Sequence, residues 1–265
     1  MSDNPYDLAE EAAARLRERL GLDRIDVALV LGSGWSSATE VLDPIASCEL
    51  ADLPGFSAPV VPGHGGRLIA VRTPGGRVAA IFTGRTHLYE GRGVDAVVHG
   101  VRTAAAAGAS RIVLTNGCGG LDPNRPPGTV VLIADHLNLT GATPLRGARF
   151  VDLSEAYSRD LRDLARRVEP GLGEGVYVQF HGPQFETPAE VRMAGILGGD
   201  LVGMSTTLET IAAREAGMEV LGLSLVTNLA AGLSPVPLDH HDVQEAGQEA
   251  GPRLQRLVTG LLEVL

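Results

Sequence analysis

Apolar residues recur along the chain with two spacings, one typical of amphipathic helices and the other of β-strands. Apolar positions three and four residues apart predict helices over residues 6–20, 94–107, 154–168 and from His240 to the C terminus. Compact apolar runs bounded by glycine or polar residues predict strands at residues 26–31, 67–71, 78–82, 111–115, 129–139, 176–180 and 219–227.

Two capping boxes mark the starts of two further helices. Thr187 is followed by Pro188 and then by Glu190, and Thr206 is followed by Glu209 three residues later. In such a box the threonine and the glutamate satisfy each other's backbone N–H groups, and proline is favoured at the first helical position. Both predicted helices begin directly after polar stretches that carry candidate site residues.

The order of these elements indicates the fold class. Pro74-Gly75-Gly76 joins two strands as a hairpin, and elsewhere strands and helices alternate. Such alternation predicts an α/β fold whose mixed sheet is covered by helices on both sides, with ligands bound at strand ends. The chain has 265 residues, 44% of them hydrophobic, and no repeat or linker, so we expect a single domain over residues 1–265.

Charge and cysteine content narrow the class of protein. The formal net charge is −10 and the cations are scattered, which disfavours a nucleic-acid partner. We expect neither membrane insertion nor secretion, because the chain has no apolar run of membrane-spanning length and its first residues do not resemble a signal peptide. Cys48 and Cys118 form no CxxC pair. Unpaired thiols indicate a cytoplasmic location.

The stretch VLGSGWSSAT, residues 30–39, leaves the first predicted strand through two glycines that flank Ser33. A dinucleotide fingerprint would need Gly or Ala where Ser37 stands and an acidic residue at the end of a second strand, while a P-loop would need Gly-Lys-Ser/Thr. Neither pattern is present. The backbone amides and the Ser33 hydroxyl can donate to one anion. The alternative is a tight turn that only caps a helix.

The stretch TGRTHLYEG, residues 83–91, places Arg85, His87 and Tyr89 at alternate positions just past a strand. Arginine offers a fork of donors that matches phosphate, and in an extended segment the three side chains lie on one side. Alone, this is a polar strand exit. Together with Ser33 it predicts an anion site. His64, between glycines, is either a residue that closes over the ligand or part of a surface turn.

A second polar cluster, HGPQFET at residues 181–187, puts Phe185 and Glu186 at a helix start. An aromatic face and a carboxylate acceptor suit a heterocycle that carries ring N–H groups. Asn228, at the end of a long apolar strand, can both donate and accept. Buried alone, Asn228 would simply cap the strand end. Paired with Glu186 across a pocket, it would read the edge of an oxopurine.

Other candidate residues indicate less. The sequence DHHD at residues 239–242 lacks the spacing of a metal site, because adjacent histidines point apart on a helix. Cys118 has no evident partner base, which favours a packed residue over a nucleophile. We expect the remaining histidines to be structural, namely His99, His136 and His181.

Seven motifs follow one another along the chain: GSG at 32–34, GHGG at 63–66, GRTHLYEG at 84–91, NGCGG at 116–120, GPQFET at 182–187, GMST at 203–206 and SLVTN at 224–228. With them the sequence resembles the purine nucleoside phosphorylases of the trimeric, low-molecular-mass class, from about Val27 to the C-terminal helix. The resemblance implies an α/β sandwich with a distorted, barrel-like mixed sheet, a homotrimer, and no metal or organic cofactor. Inorganic phosphate is then a co-substrate.

The resemblance also implies roles for individual residues. Phosphate would be bound by Ser33, His64, Arg85, His87, Ser205 and the backbone amide of Gly117. Ribose would contact Tyr89, Met204 and His240. The base would contact Tyr177, Phe185, Glu186 and Asn228. The catalytic set would be His87, Glu186 and Asn228. Phe150 would reach from one subunit into its neighbour's site.

The implied reaction is reversible phosphorolysis of 6-oxopurine nucleosides, inosine and guanosine, to the base and (deoxy)ribose 1-phosphate in purine salvage. Methylthioadenosine phosphorylases share the fold, but would favour aspartate at position 228 and an apolar residue at position 240. A non-catalytic nucleoside-binding protein is the other alternative, although it would be expected to have lost at least one site residue. In the family, alanine is common where Gly117 and Cys118 stand, and a small residue or proline where His181 stands. These departures bear on phosphate affinity rather than on the reaction.

Overall fold

The computed structural model describes residues 4–57, 66–234 and 237–265, apart from the side chain of His240. Its helices are α1 (Pro5–Leu20), α2 (Val94–Ala106), α3 (Arg159–Val168), α4 (Pro188–Ile196), α5 (Thr207–Glu215) and α6 (His240–Val264). Its strands are β1 (Val27–Val30), β2 (Pro44–Glu49), β3 (Arg67–Arg72), β4 (Val78–Phe82), β5 (Arg111–Gly120), β6 (Val130–Asn138), β7 (Gly173–Gln179), β8 (Leu201–Gly203) and β9 (Glu219–Leu229). No helix in these ranges is long and apolar enough to cross a membrane.

All nine strands join one mixed sheet in the order β2-β3-β4-β1-β5-β8-β7-β6-β9. Because β5 also pairs with β9 in parallel, the five strands from β5 to β9 close into a barrel. The other four strands extend from β5 as an open wing, in which β1 is parallel to both β4 and β5. The predicted fold class, α/β with a mixed and barrel-like sheet, is confirmed.

Helices cover the sheet on two sides. One apolar layer packs α1, α2 and α5 against it through residues such as Leu16, Val98 and Leu208, each with no exposed surface. The other layer packs α3 and α6, including Leu161 and Leu257 at 1% exposure. Burial of one such leucine contributes about 1.5–3 kcal/mol, so these layers hold the strand ends in place.

Several predicted elements are found with altered bounds. The predicted hairpin is confirmed, with Arg72 opposite Val78. Strand β5 continues through NGCGG, which the glycines had suggested was a loop, because it pairs with β9 along its whole length. Helix α3 begins after its cap Ser158, not at Ser154. Strands β2 and β8 were not predicted, since β2 is an exposed edge and β8 has three residues.

Candidate active site

The carboxyl ends of β1, β4 and β9 open, together with the glycine-rich part of β5, into a cavity of about 710 Å³. Strand carboxyl ends are where α/β sheets bind ligands. The predicted site residues that line it are Ser33, Arg85, His87, Tyr89, Gly117, Phe185, Glu186, Met204, Ser205 and Asn228. The structure therefore brings ten residues from six sequence motifs together around one space.

At the end of the cavity formed by β1 and β4, the loop after β1 lies over Arg85. The Gly32 amide donates to Oγ1 of Thr115 at 3.0 Å, and Nη1 of Arg85 donates to the Thr115 carbonyl. A Cβ on Gly32 would lie 2.4 Å from Nη1 of Arg85 and 2.5 Å from that carbonyl oxygen. Glycine is required at position 32 because no side chain fits between the loop and the guanidinium.

Glu209, on the first turn of α5, forms an ion pair with Arg85. Nε of Arg85 lies 3.1 Å from Oε1 and 3.0 Å from Oε2 of Glu209, and each side chain is 2% exposed. A buried pair of this kind is stable only when both charges are well hydrogen-bonded. The guanidinium is thus held in one orientation at the wall of the cavity.

The turn that carries Ser205 is also held from several directions. Thr206 has φ of +77°, a left-handed conformation that costs a residue with a side chain about 1–3 kcal/mol. The Thr206 amide donates to Oε2 of Glu209 at 2.9 Å, and its hydroxyl accepts from Nδ2 of Asn116 at 2.9 Å. Tyr177 completes the support, because its hydroxyl accepts from the Ser205 amide at 3.3 Å.

Between the two ends of the cavity, His87 and Tyr89 stack with ring centroids 4.8 Å apart. Oε1 of Glu90 accepts from the His87 amide at 2.7 Å and lies 3.5 Å from Nδ1 of the same residue. Burial raises the pKa of Tyr89 to about 12, so its phenol is protonated at neutral pH. The pair offers an imidazole and a hydroxyl on one wall.

Another part of the cavity wall carries Glu186 and Asn228, 7% and 8% exposed, together with Phe185 at 38%. Burial, together with the charge of Glu190, raises the pKa of the Glu186 carboxyl. Among the residues that the structure describes, Oε1 of Glu186 has no hydrogen-bond partner. A buried acceptor without a partner is costly, which indicates that a ligand donor completes this end of the cavity.

Four predicted site residues are not part of the described cavity wall. Tyr177 was predicted to line it, but this residue is fully buried behind Gly203 and supports the Ser205 turn instead. Phe150 lies outside the cavity and is 94% exposed. His64 and the side chain of His240 fall outside the described part of the chain, so their predicted roles stay predictions.

The residues that sequence analysis set aside lie elsewhere or are inert. Burial raises the pKa of the Cys118 thiol to about 12, so it is not a thiolate nucleophile. His99 and His136 contact the Pro54 carbonyl and the Tyr157 hydroxyl, and His181 contacts the Gly182 carbonyl. Over the described residues, no group of three or more His, Cys, Asp or Glu side chains could hold a metal ion.

Three polar residues of the site were not predicted from the sequence. Asn116 and Thr227 line the cavity, and Glu209 holds Arg85. Asn116 precedes Gly117 in the NGCGG motif, and the interpretation of that motif depended on its glycines. Glu209 was identified as a helix cap, because a capping box explains a glutamate at that position without reference to a distant arginine.

Comparison with known proteins agrees with this geometry. The family model of the phosphorylase superfamily matches residues 26–263. A purine nucleoside phosphorylase of Cellulomonas sp is 58% identical over 97% of this chain and 93% of the relative, and that of Mycobacterium tuberculosis is 51% identical over 98% and 97%. The crystal structure of a schistosoma purine nucleoside phosphorylase in complex with hypoxanthine superposes with a TM-score of 0.88, at 31% identity over 98% of this chain and 97% of that one.

The mixed, barrel-like sheet is the fold that this chain shares with the solved phosphorylase structure. The chain belongs to the phosphorylase superfamily and, within it, to the purine nucleoside phosphorylases, which are pentosyltransferases.

Proposed function

We propose that this enzyme catalyses reversible phosphorolysis of 6-oxopurine nucleosides, inosine and guanosine, to the free base and (deoxy)ribose 1-phosphate. The observation that carries the proposal is the Glu186 carboxylate, which is buried and has an oxygen without a hydrogen-bond partner among the described residues. A 6-oxopurine carries N1–H, and guanine also carries a 2-amino group, so both bases supply the donors that this carboxylate needs.

Asn228 supports the same choice of base. It lines the cavity together with Glu186, and the NH2 group of its amide can donate to N7 and to O6. An aspartate there would favour a 6-amino purine instead. Phe185, partly exposed at the cavity mouth, offers a face against which the base can pack.

The chemistry follows from the two ends of the cavity. A phosphate oxygen attacks C1′ of the sugar while the bond from C1′ to N9 breaks, so positive charge develops on the sugar and negative charge on the purine. Asn228 and Glu186 stabilise the departing base, and a hydrogen bond that strengthens in the transition state contributes about 2.7–4 kcal/mol. Phosphate supplies the nucleophile, and the reaction requires no metal or organic cofactor.

The other end of the cavity fits phosphate. Ser33, Ser205 and the amide of Gly117 supply neutral donors, and Arg85 and His87 lie on the same wall. In this proposal His64 closes over the phosphate. Ribose then lies in the middle, against Tyr89 and Met204, with its 5′-hydroxyl on His240.

We also propose the assembly and setting that the family resemblance implies, namely a cytoplasmic homotrimer that acts in purine salvage. Phe150 supports an assembly, because an aromatic side chain that is 94% exposed is a natural contact for a second copy. In this arrangement it reaches the neighbouring subunit's cavity.

The direct test is release of base from inosine, guanosine and adenosine, each with and without phosphate, followed by identification of the sugar product. We expect phosphate-dependent release of hypoxanthine and guanine, with ribose 1-phosphate as the second product and slow turnover of adenosine. Release without phosphate would identify a hydrolase, and equal turnover of adenosine would refute the assignment of Glu186 and Asn228 to 6-oxopurines.

No release from any of the three nucleosides would leave two alternatives. Activity on methylthioadenosine would identify the related phosphorylase, and calorimetric binding of inosine without product would identify a binding protein.

A further inference from the structure

Glu209 lies at a junction between the two elements that form the anion end of the cavity. Its carboxylate contacts Nε of Arg85, which follows β4, and the amide of Thr206, which precedes α5. Glu209 itself does not line the cavity. It lies behind the wall, and its 2% exposure isolates it from bulk solvent.

The turn held by Glu209 is conformationally strained. Thr206 has φ of +77°, and it stays there because Glu209, Asn116 and the α5 backbone all bond to it. Ser205, the preceding residue, lines the cavity, and its hydroxyl lies 3.2 Å from the Thr206 hydroxyl. We expect a loss of the Glu209 contact to displace the Ser205 hydroxyl together with this turn.

The same carboxylate balances the charge of Arg85. With Glu209 paired to it, the arginine adds no net charge to the anion end, so most of the attraction for phosphate comes from oriented hydrogen-bond donors. Such donors act only when their positions are fixed beforehand. The position of the guanidinium is therefore as important as its charge.

We propose that Glu209 is a positioning residue for the phosphate site, which holds Arg85 and the Ser205–Thr206 turn in one geometry and thereby sets the affinity for phosphate. This inference rests on the proposed function, in which phosphate is the co-substrate. A purely structural role, as the cap of α5, is the competing explanation.

The chain itself offers a way to separate capping from positioning. Helix α6 has an aspartate at the equivalent capping position, where Oδ2 of Asp242 accepts from the Asp239 amide at 3.2 Å. Aspartate can thus close a capping box in this protein. Glu209→Asp keeps the cap of α5 and its charge, but is one methylene shorter and withdraws the carboxylate from Arg85.

The experiment measures KM for phosphate, KM for nucleoside, kcat and Tm of Glu209→Asp and Glu209→Gln. The matched control is Glu190→Asp, which shortens the equivalent capping carboxylate on α4. Glu190 accepts from the Thr187 amide at 2.7 Å and forms no ion pair with an arginine in the part of the chain that the structure describes. We expect Glu209→Asp to raise KM for phosphate by about ten-fold or more, with KM for nucleoside changed less than about three-fold, since hydrogen bonds to charged groups are the strong ones.

We expect Glu190→Asp to leave KM for phosphate as it is in the wild type. Glu209→Gln keeps the length of the side chain and leaves the charge of Arg85 uncompensated, so it should raise KM for phosphate less than Glu209→Asp does. A Glu209→Asp variant that folds and keeps KM for phosphate within about two-fold of the wild type, or that raises both KM values equally, would overturn the inference.

Phosphate titration by calorimetry separates this inference from the proposed function. If the wild type binds phosphate but releases no base, the proposed function fails, and weaker phosphate binding by Glu209→Asp still supports the positioning role. Equal phosphate affinity of the wild type and Glu209→Asp refutes it.

Discussion

Glu209 lies behind the cavity wall and Glu186 lines the cavity, and these two buried carboxylates are in opposite situations. At the anion end, Glu209 is bonded to Arg85 and to the Thr206 amide. At the base end, Oε1 of Glu186 has no partner among the described residues, and burial raises its pKa. The carboxylate of Glu209 organises the protein. The carboxylate of Glu186 is available to a ligand.

The contrast explains how one pocket can treat two substrates differently. Donors for an anion are effective when they are fixed in advance, so the anion end is bonded internally. A buried carboxylate oxygen that lacks a hydrogen-bond partner favours a base that donates to it over a base that does not. In the proposed function, the buried carboxylate of Glu186 lacks one hydrogen bond in the free protein. This lowers the stability of the protein but makes the binding of the base selective.

The largest expected effect comes from breaking the organised end. Arg85→Met should lose about 3–5 kcal/mol of stability, because it leaves the Glu209 charge buried without its cation. Phosphorolysis should fall together with stability. Urea unfolding and initial rates measure the two effects.

The double variant Arg85→Met/Glu209→Gln sharpens this prediction, since it removes the stranded charge as well. It should recover most of the lost stability and none of the activity. If the double variant is as unstable as the single one, the stability effect belongs to packing rather than to the ion pair.

At the base end, Glu186→Gln should have the opposite profile. We expect kcat/KM for inosine and guanosine to fall by about 10²-fold, as for the loss of one transition-state hydrogen bond, while stability is unchanged or slightly higher. Stability does not fall because Oε1 of Glu186 has no partner to lose in the described chain. Steady-state kinetics and thermal melts without ligand check both parts, and a large drop in Tm would contradict the contrast.

Asn228→Asp tests base selection at the same end. The ratio of kcat/KM for inosine to that for adenosine should fall by about ten-fold, because a carboxylate accepts from a 6-amino group and an amide suits a 6-oxo group. The measurement is the two rates on one preparation. An unchanged ratio would count against Asn228 as the selecting residue.

The smallest expected effect is on pH dependence. An acid whose pKa is raised by folding binds its proton more tightly in the native state, so its contribution to stability declines as pH rises from the ordinary glutamate pKa to the raised value. The difference in unfolding free energy between the wild type and Glu186→Gln should therefore shift in favour of the wild type as pH falls through that window. Denaturation curves at several pH values measure it.

Catalysis should have the opposite pH dependence, because in the proposed function the base donates its hydrogen bond to the ionised carboxylate. As pH falls through the raised pKa of Glu186, kcat/KM for nucleoside should decrease at a higher pH than for an exposed glutamate. Glu186→Gln should lack this part of the profile. If the variant has the same acid limb as the wild type, that limb belongs to another group.

The fold could be predicted well from local patterns. The capping boxes at Thr187 and Thr206 start α4 and α5 as predicted, and the hairpin between β3 and β4 pairs as its glycines indicate. Strand β8 could not be predicted, because three residues carry no periodicity and it exists only through pairing with β5 and β7. The continuation of β5 through NGCGG likewise depends on β9.

The candidate site shows the same division. The sequence alone determined which side chains have useful chemistry. Ser33 and Arg85 follow strands, Glu186 precedes a helix and Asn228 lies near the end of β9, and those local signals need no knowledge of distant contacts. The tertiary structure decided what each group is bonded to: Glu209 to Arg85 across 124 residues, and Tyr177 to the Ser205 turn across 28. Burial and partners are set by elements far apart in the chain, so only folding distinguishes a carboxylate that supports the site from one that awaits a ligand.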